Sequence, residues 1–436
     1  MWGHSSVGRT SGLQPEGPGF ESPWLHQLGG YSITAIMRPC QGLDSSSILD
    51  IRSIYRIDME LNTLDPRWDN QLINHDHDKF NWRQYFIDAV QEKYPQVKEL
   101  EKLHEVMSPN EINDFVWDVQ RICKTEEFAR KLDDFMDEVA RPRLDGADFM
   151  VQDVVGVRVV IPNQAKHGRT LNFHQGIWFG HGPGMFSIWS PITEAWDSNT
   201  MQILPWEESR MITQKAYDEQ LSYQDIQKLC LEHSIPCNAS PGQSWLFQQG
   251  HLHGNINNET DITRWSFDTR VLVKGGNYGR RRPGGYFRLH RTYRQPLSNI
   301  DTNKTWINYI DMNSRFCETT PFFVTSMIMQ QFCKDVGIEP ADYPLELSFC
   351  HWEPMLEDFI KDPNIQGIVI PSILGMTYDK KRRDELFDMA LSNQTDLLFV
   401  DERILLNNTE ELNYINQIFE YINDEEDPDL LLGHTR

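Results

Sequence analysis

The stretch Val151-Gln152-Asp153-Val154-Val155-Gly156-Val157-Arg158-Val159-Val160-Ile161-Pro162-Asn163 decides the fold class. β-Branched side chains lose rotamer freedom in a helix and pack well on a pleated surface, so this run reads as strand, and Pro162-Asn163 closes it as a turn. Upstream the texture differs. Over 82–107 the apolar residues recur at helical spacing, and Ser108-Pro109-Asn110-Glu111 has the form of a capping box with proline in the first turn. A second long helix is expected over 109–139, with a break near Lys124, ended by Pro142 and Gly146. Downstream, strand-like runs recur at 185–189, 201–204, 244–248 and 265–273, punctuated by Gly, Pro and Asn. Many short strands with turn punctuation predict a sandwich or jelly roll. Residues 207–235 interrupt the pattern as a charged, helix-prone insertion, with a helix expected over 223–233.

Further outward, a Gly/Arg/Pro-rich stretch over 275–285 and a polar one over 298–304 mark a domain boundary. Beyond them strands (306–312, 345–349, 367–371, 397–400) alternate with helices (323–336, 354–361, 380–391, 410–422). That alternation predicts a parallel sheet covered by helices on both faces. The expected organisation is a helical flank at 37–147, a β core at 148–295, a linker at 296–304, an α/β domain at 305–427 and a tail at 428–436. Residues 1–36 stand apart. Ser5-Ser6-Val7-Gly8-Arg9 back-translates to the D-arm of a transfer-RNA gene and Phe20-Glu21-Ser22 to its T-arm, at a spacing that suits such a gene. The segment is expected to be a translated RNA gene, with Met37 as the true start, or else a disordered tail, and it is set aside from fold reasoning.

A chain of 436 residues with 39% hydrophobic content can build two or three cores. No apolar run reaches the ~18–20 residues of a membrane span. The net charge of −23 argues against nucleic acid and anionic membranes as partners and leaves a small-molecule substrate. Seven cysteines without a CxxC pair read as reduced thiols and a cytoplasmic chain. The sequon Asn258-Glu259-Thr260 has no weight without a secretory signal. One basic run, Arg280-Arg281-Arg282 with Arg288 and Arg291, reads either as a solvated loop or as a clamp for a phosphate or carboxylate.

Within the β region the chemistry-bearing residues come in a fixed order. Asn172-Phe173-His174-Gln175-Gly176 is followed by Trp178-Phe179-Gly180-His181-Gly182-Pro183, then by Leu252-His253-Gly254-Asn255 and by Thr263-Arg264-Trp265-Ser266. Two imidazoles and a carboxylate on one face of a mononuclear iron leave the other face open, and an arginine can hold a cosubstrate carboxylate by a two-pronged hydrogen bond. The order and spacing over about 151–273 resemble the phytanoyl-CoA dioxygenase-like branch of the non-haem Fe(II)/2-oxoglutarate oxygenases. More narrowly, they resemble the oxygenases of the "sporadic carbohydrate cluster" group, found in gene clusters for sugar or polysaccharide synthesis.

The resemblance implies a double-stranded β-helix (jelly-roll, cupin-like) barrel with a helical N-terminal flank. It implies Fe(II), 2-oxoglutarate and O2 as cofactors, His174 and His253 as iron ligands, and Arg264 with Asn255 as the cosubstrate site. His181 and Trp178 are candidate substrate contacts, and His251 is the alternative to His253. The family pattern expects a carboxylate two residues after the first histidine, where this chain has Gly176. Three outcomes follow. Chloride fills the open position at Gly176, as in the related halogenases; or Glu194, Asp197 or water completes the shell of a hydroxylase; or iron chemistry has been lost, leaving a catalytically inactive binding or scaffold barrel. Chlorination is preferred to hydroxylation, because a chloride restores the charge that the missing carboxylate removes. The substrate implied is a sugar, nucleotide-sugar or similar polar metabolite.

Residues 305–425 resemble the small α/β protein of the same gene clusters, through 306–315, Gln330-Gln331-Phe332-Cys333, Leu347-Ser348, 368–372, Arg382-Arg383 and Val400-Asp401-Glu402. The chain therefore reads as a fusion. Strand carboxyl ends are the usual ligand site of such sheets, which makes Asn313, Arg315 and Glu402 candidates, with capping and turn roles as the alternative. His351-Trp352-Glu353 copies the iron motif without a later histidine to match and is read as coincidence.

Overall fold

The computed structural model describes residues 69–163, 172–293, 297, 300–341, 344–347 and 352–422, all within one compact unit. The expectations for 1–36, Met37 and the tail at 428–436 lie outside the described residues, as do His351 and parts of the 296–304 linker.

Ten strands build the β region: β1 (Gln71–Asn74), β2 (Phe149–Gln152), β3 (Gly156–Val160), β4 (Met185–Pro191), β5 (Met201–Ile203), β6 (Ile235–Pro236), β7 (Gln243–Gln248), β8 (His253–Asn255), β9 (Arg264–Val273) and β10 (Phe287–Leu289). A large antiparallel sheet runs β1-β7-β4-β9-β2-β10 with β3 also on β9; a small one runs β6-β5-β8. The run that decides the fold class is two strands, not one. Between them Asp153 donates its N–H to the Tyr286 carbonyl, and the chain bends.

Side-chain alternation assigns the two faces of the large sheet. Phe186 and Ile188 of β4, Leu246 of β7, and Trp265, Phe267 and Val271 of β9 face outward into a core shared with the N-terminal helices. Trp189 of β4 and Phe247 of β7 face inward and pack on Met201, Ile203, Cys237 and Ala239 around the small sheet. Two antiparallel sheets thus enclose one interior, as in a jelly roll.

The helical flank is α1 (Trp82–Val90), α2 (Pro109–Ile122) and α3 (Glu126–Val139). Ser108 and Glu111 form the expected capping box: Glu111 N–H donates to Ser108 Oγ at 3.4 Å and Ser108 N–H to Glu111 Oε2 at 2.7 Å. The helix expected over 109–139 breaks at Cys123–Thr125 because Thr125 starts a new one, its Oγ1 accepting the Phe128 N–H at 3.2 Å. The 207–235 insertion is α4 (Trp206–Glu219) and α5 (Tyr223–His233).

The C-terminal region carries β11 (Trp306–Asn308), β12 (Gly367–Ile370), β13 (Asp396–Phe399) and β14 (Ile404–Leu406), with α6 (Phe322–Val336), α7 (Pro354–Lys361), α8 (Lys380–Asn393) and α9 (Thr409–Phe419). β11, β12 and β13 are parallel, and β14 adds an antiparallel edge that the alternation did not predict. The strand expected over 345–349 is, among its described residues, a single bridge from Leu345 to Ile310.

Residues from both sides of the polar stretch over 298–304 pack together. Met150, Met185 and Leu272 of the barrel share one core with Phe287, Leu289, Tyr309, Phe316 and Ile368. The basic run is dismantled by the same packing. Arg282 pairs with Asp401 at 3.1 Å, Arg288 with buried Asp133 at 2.8 Å, and Arg291 with Asp134 at 2.7 Å and with Asp137, so these three are structural.

Of the C-terminal candidates, Asn313 and Glu402 make turn contacts and Arg315 packs on an aromatic ring. Asn313 donates its backbone N–H to Asp311 Oδ1 at 2.8 Å, and Arg315 lies over the Tyr378 ring at 4.4 Å. Glu402, buried, accepts from Ser372 Oγ at 2.5 Å and from Ile373 N–H at 3.0 Å, tying the turn Ile373–Gly375 to the end of β13. Burial, reinforced by neighbouring Asp401, raises the Glu402 carboxyl well above the usual range. A raised folded pKa means stability that is complete below the unfolded pKa of about 4.3 and is lost as pH rises through the folded value. Glu402→Gln is therefore expected to raise the melting temperature by a few degrees near about pH 8 and to change it little near about pH 4.5. Thermal melts at the two pH values check this, and an equal shift at both would contradict it.

Candidate metal centre

β9 carries a polar residue at every second position: Arg264, Ser266, Asp268 and Arg270. The intervening Trp265, Phe267 and Val271 anchor the strand to the helical flank, so the polar set is forced into the barrel interior. Its cross-strand partners there include Arg158 (opposite Ser266), Trp189 (opposite Asp268) and Ser187 (opposite Arg270).

His174, between β3 and β4, and His253, the first residue of β8, meet as an antiparallel bridge. His174 N–H donates to the His253 carbonyl at 2.9 Å and His253 N–H to the His174 carbonyl at 3.0 Å. Their ring centroids are 4.3 Å apart. Each ring is fixed the same way: Nδ1 of His174 meets the Asn172 carbonyl at 2.8 Å, and Nδ1 of His253 meets the His251 carbonyl at 2.9 Å. A carbonyl can only accept, so both protons sit on Nδ1 and both Nε2 atoms carry lone pairs. Such backbone anchoring is how metal-binding imidazoles are held in the right tautomer. Burial lowers the His174 pKa to about 4 and that of His253 well below its ordinary value, with the His174 ring further disfavouring charge on His253. Both are neutral at physiological pH. Phe179 packs edge-on against the His174 ring at 5.1 Å, and Phe247 tilts over His253 at 4.8 Å.

His251, the alternative ligand, faces elsewhere. Its Nδ1 meets the Leu204 carbonyl at 3.1 Å and its ring packs on Trp206, while its own carbonyl holds His253. Glu194 accepts from Ser240 Oγ at 2.7 Å, and Asp197 opens the short turn Asp197–Asn199. Among the described residues no three His, Cys, Asp or Glu side chains cluster as a metal site, so neither Glu194 nor Asp197 completes the histidine pair.

Gly176 begins the turn Gly176–Phe179. The sequence leaves this position without a side-chain ligand, and Gln249 lies beside it. A Cβ at 176 would stand 2.1 Å from Oε1 of Gln249, whose buried carboxamide fills the direction in which a side chain would project.

Arg264 is 1% exposed. Its Nε donates to the Asn199 carbonyl at 2.9 Å, Nη1 to Ser266 Oγ at 2.5 Å and Nη2 to Asn255 Oδ1 at 2.5 Å. Asn255 therefore aims the guanidinium. These partners are all neutral, and burial lowers the Arg264 pKa to about 9. Three of five N–H donors are committed, leaving two for a ligand. A buried cation set among neutral partners suits an anionic ligand.

His181 is buried, with Nδ1 on the Gly176 carbonyl at 2.9 Å and Nε2 on Tyr286 Oη at 3.2 Å. Trp178 is 40% exposed and points to solvent. Sequence reasoning missed a second polar wall. Asp268 pairs with Arg158 at 2.9 Å and with Arg270 at 3.0 Å, and Arg281 lies over Tyr286 at 5.0 Å. Of the basic triplet Arg280–Arg282, Arg281 thus lies on Tyr286 while Arg282 pairs with Asp401. The period-2 polarity of 264–270 was the signal that could have found Asp268 and Arg270. Nothing local marks Gln249 or Tyr286.

No family model matches the sequence, and no curated protein matches it. Among solved structures the chain is similar to a nickel complex of the non-haem monooxygenase ThoJ (14% identity, 54% of this chain and 89% of that one, TM-score 0.30). It is similar to EvdO2 from Micromonospora carbonacea var. aurantiaca (14%, 56% and 95%, TM-score 0.28), and to EctD from S. alaskensis in its apoform (14%, 56% and 88%, TM-score 0.30). Similarity at this level leaves the functional argument to the residues themselves. No helix among the described residues is long and apolar enough to cross a membrane.

Proposed function

We propose that this chain is an Fe(II)- and 2-oxoglutarate-dependent oxygenase that oxidises a C–H bond of a polar, anionic metabolite, a sugar or nucleotide-sugar being the class that fits. The observation that carries the proposal is the histidine pair itself: two imidazoles bridged by backbone, each Nδ1 capped by a carbonyl and each Nε2 left with a lone pair. Arg264 supports it, being a buried guanidinium with two N–H groups to spare for a carboxylate. Iron with 2-oxoglutarate and O2 would supply the oxidising power. The protein's part is to hold the metal through His174 and His253, to fix the cosubstrate through Arg264, and to exclude water with the aromatic rings around the pair.

Hydroxylation is favoured over chlorination, because the Gln249 carboxamide packs over Gly176 where a halide would need room. The anionic character of the substrate is drawn from Arg158 and Arg270, two guanidiniums on the single carboxylate of Asp268, with the charge of Arg270 felt at Arg281, in a chain of net charge −23. The competing reading, a binding barrel without metal, draws on the missing carboxylate ligand.

Anaerobic titration with Fe(II) and then 2-oxoglutarate is expected to give a visible charge-transfer band that chloride does not shift. With O2 admitted, succinate release is expected to be stimulated by phosphorylated sugars and not by neutral ones. A chloride-dependent band would return the reading to a halogenase. The absence of any band would favour the binding barrel, and equal stimulation by neutral sugars would remove the anionic substrate.

A further inference from the structure

The histidine pair would supply two ligands, and among the described residues no His, Cys, Asp or Glu joins it as a third, yet one polar atom lies beside Gly176, where the side chain is missing. Gln249 follows β7 directly, two residues after Phe247, whose ring covers His253 at 4.8 Å. Alternation along the strand therefore directs Gln249 to the same interior face. Its backbone carbonyl accepts the Ile177 N–H at 3.4 Å, which holds it against the turn that follows His174. Its Nε2 donates to Ser187 Oγ at 2.9 Å, which fixes the plane of the amide. That leaves Oε1, which is buried and has no hydrogen-bond partner. Buried carbonyl oxygens are rarely left so, and one in this state calls for an explanation. The same atom lies 2.1 Å from where the Cβ of a residue at 176 would be, in the volume from which a carboxylate two residues after His174 would reach a metal.

We propose that Gln249 is the third protein ligand: its carboxamide oxygen takes the place of the carboxylate that Gly176 lacks. The inference rests on the reading of His174 and His253 as metal ligands. Amide oxygens are accepted ligands of hard divalent cations. Gly176 is then explained as the residue that makes room, since any side chain there would collide with the ligand. A two-imidazole, one-amide set carries no charge, so the bound metal keeps its full positive charge and attracts a dianionic cosubstrate more strongly than a site with a carboxylate would.

The test uses Co(II), whose visible bands report its coordination, titrated into the full chain under anaerobic conditions with no cosubstrate. Gln249→Ala is expected to weaken Co(II) binding by at least about tenfold and to change the band pattern. Gln249→Glu, which keeps the length and adds a charge, is expected to bind Co(II) more tightly than the wild type and to shift the bands. Circular dichroism melts show whether each variant folds; if the alanine variant does not, the glutamate variant decides the matter by the same readout. Unchanged affinity and spectrum in the folded variants would overturn the assignment while leaving the histidine reading intact, provided that His174→Ala abolishes the bands. No Co(II) bands in the wild type would overturn both.

Discussion

His174→Ala is expected to abolish stoichiometric Fe(II) binding and, with it, the charge-transfer band on adding 2-oxoglutarate. Changes one shell removed from a metal typically cost about 10–100-fold in affinity, so loss of a direct imidazole is expected to exceed about 100-fold. The fold is expected to survive. The bridge to His253 is made by backbone N–H and carbonyl groups, which alanine keeps. The pH dependence of wild-type binding follows from the same ring. The His174 pKa is lowered to about 4 by burial, so protons compete for its Nε2 only near and below that value. Metal affinity is therefore expected to be flat from neutral pH down to about pH 5 and to collapse near about pH 4. A free histidine would begin to lose metal near about pH 6.5. Titration of Fe(II) or Co(II) at several pH values, beside the alanine variant, checks both statements. If the variant binds as the wild type does, the metal centre lies elsewhere.

The parts of this molecule that could be read from sequence are those in which one short segment contains its own reason. Ser108 and Glu111 satisfy each other within one turn, so the start of α2 was legible to the residue. α7 was legible because Pro354 marks its first turn and an amphipathic run follows. β9 was legible because tryptophan, phenylalanine and valine alternate with polar residues, and the order of His174, His253 and Arg264 was what singled out the candidate site. What was not legible depends on residues far apart in the chain. The basic triplet reads as one feature, yet Arg281 lies over Tyr286 beside the barrel's polar wall while Arg282 turns to Asp401, over a hundred positions away. The polar stretch over 298–304 reads as a domain boundary, and nothing local in it tells that Phe287 and Leu289 on one side and Tyr309 and Phe316 on the other share one core. Gly176 reads as a vacancy because sequence lists what a position lacks and cannot list what a distant residue brings. Gln249, seventy-three positions later, occupies that space through a contact that no local pattern encodes.

Arg264→Met separates cosubstrate binding from both metal binding and folding. The guanidinium is held by Asn199, Ser266 and Asn255, all neutral, and burial lowers its pKa to about 9, so the empty protein bears the cost of a desolvated charge. Methionine has a similar length and no charge. The variant without cosubstrate is therefore expected to melt at or above the wild-type temperature, although truncation of a buried side chain usually destabilises. With 2-oxoglutarate the order reverses. Losing one partner of a buried, charge-assisted pair costs about 2–5 kcal/mol, which at about 1.4 kcal/mol per decade is roughly a 30- to 3,000-fold rise in the half-saturating cosubstrate concentration. Lysine is expected to restore little of this, because a point charge cannot reproduce the fork that Asn255 and Asn199 aim. Fe(II) affinity is expected to stay within about threefold of wild type, since His174 and His253 are anchored by carbonyls of Asn172 and His251 and not by Arg264. Melts with and without 2-oxoglutarate measure the whole pattern, because a ligand that binds only the folded state raises its melting temperature in proportion to its affinity. A variant that keeps the wild-type thermal shift with 2-oxoglutarate would show that the carboxylate is held by another group, with Arg270 on the same face of β9 and Arg158 on the adjoining β3 as the next candidates.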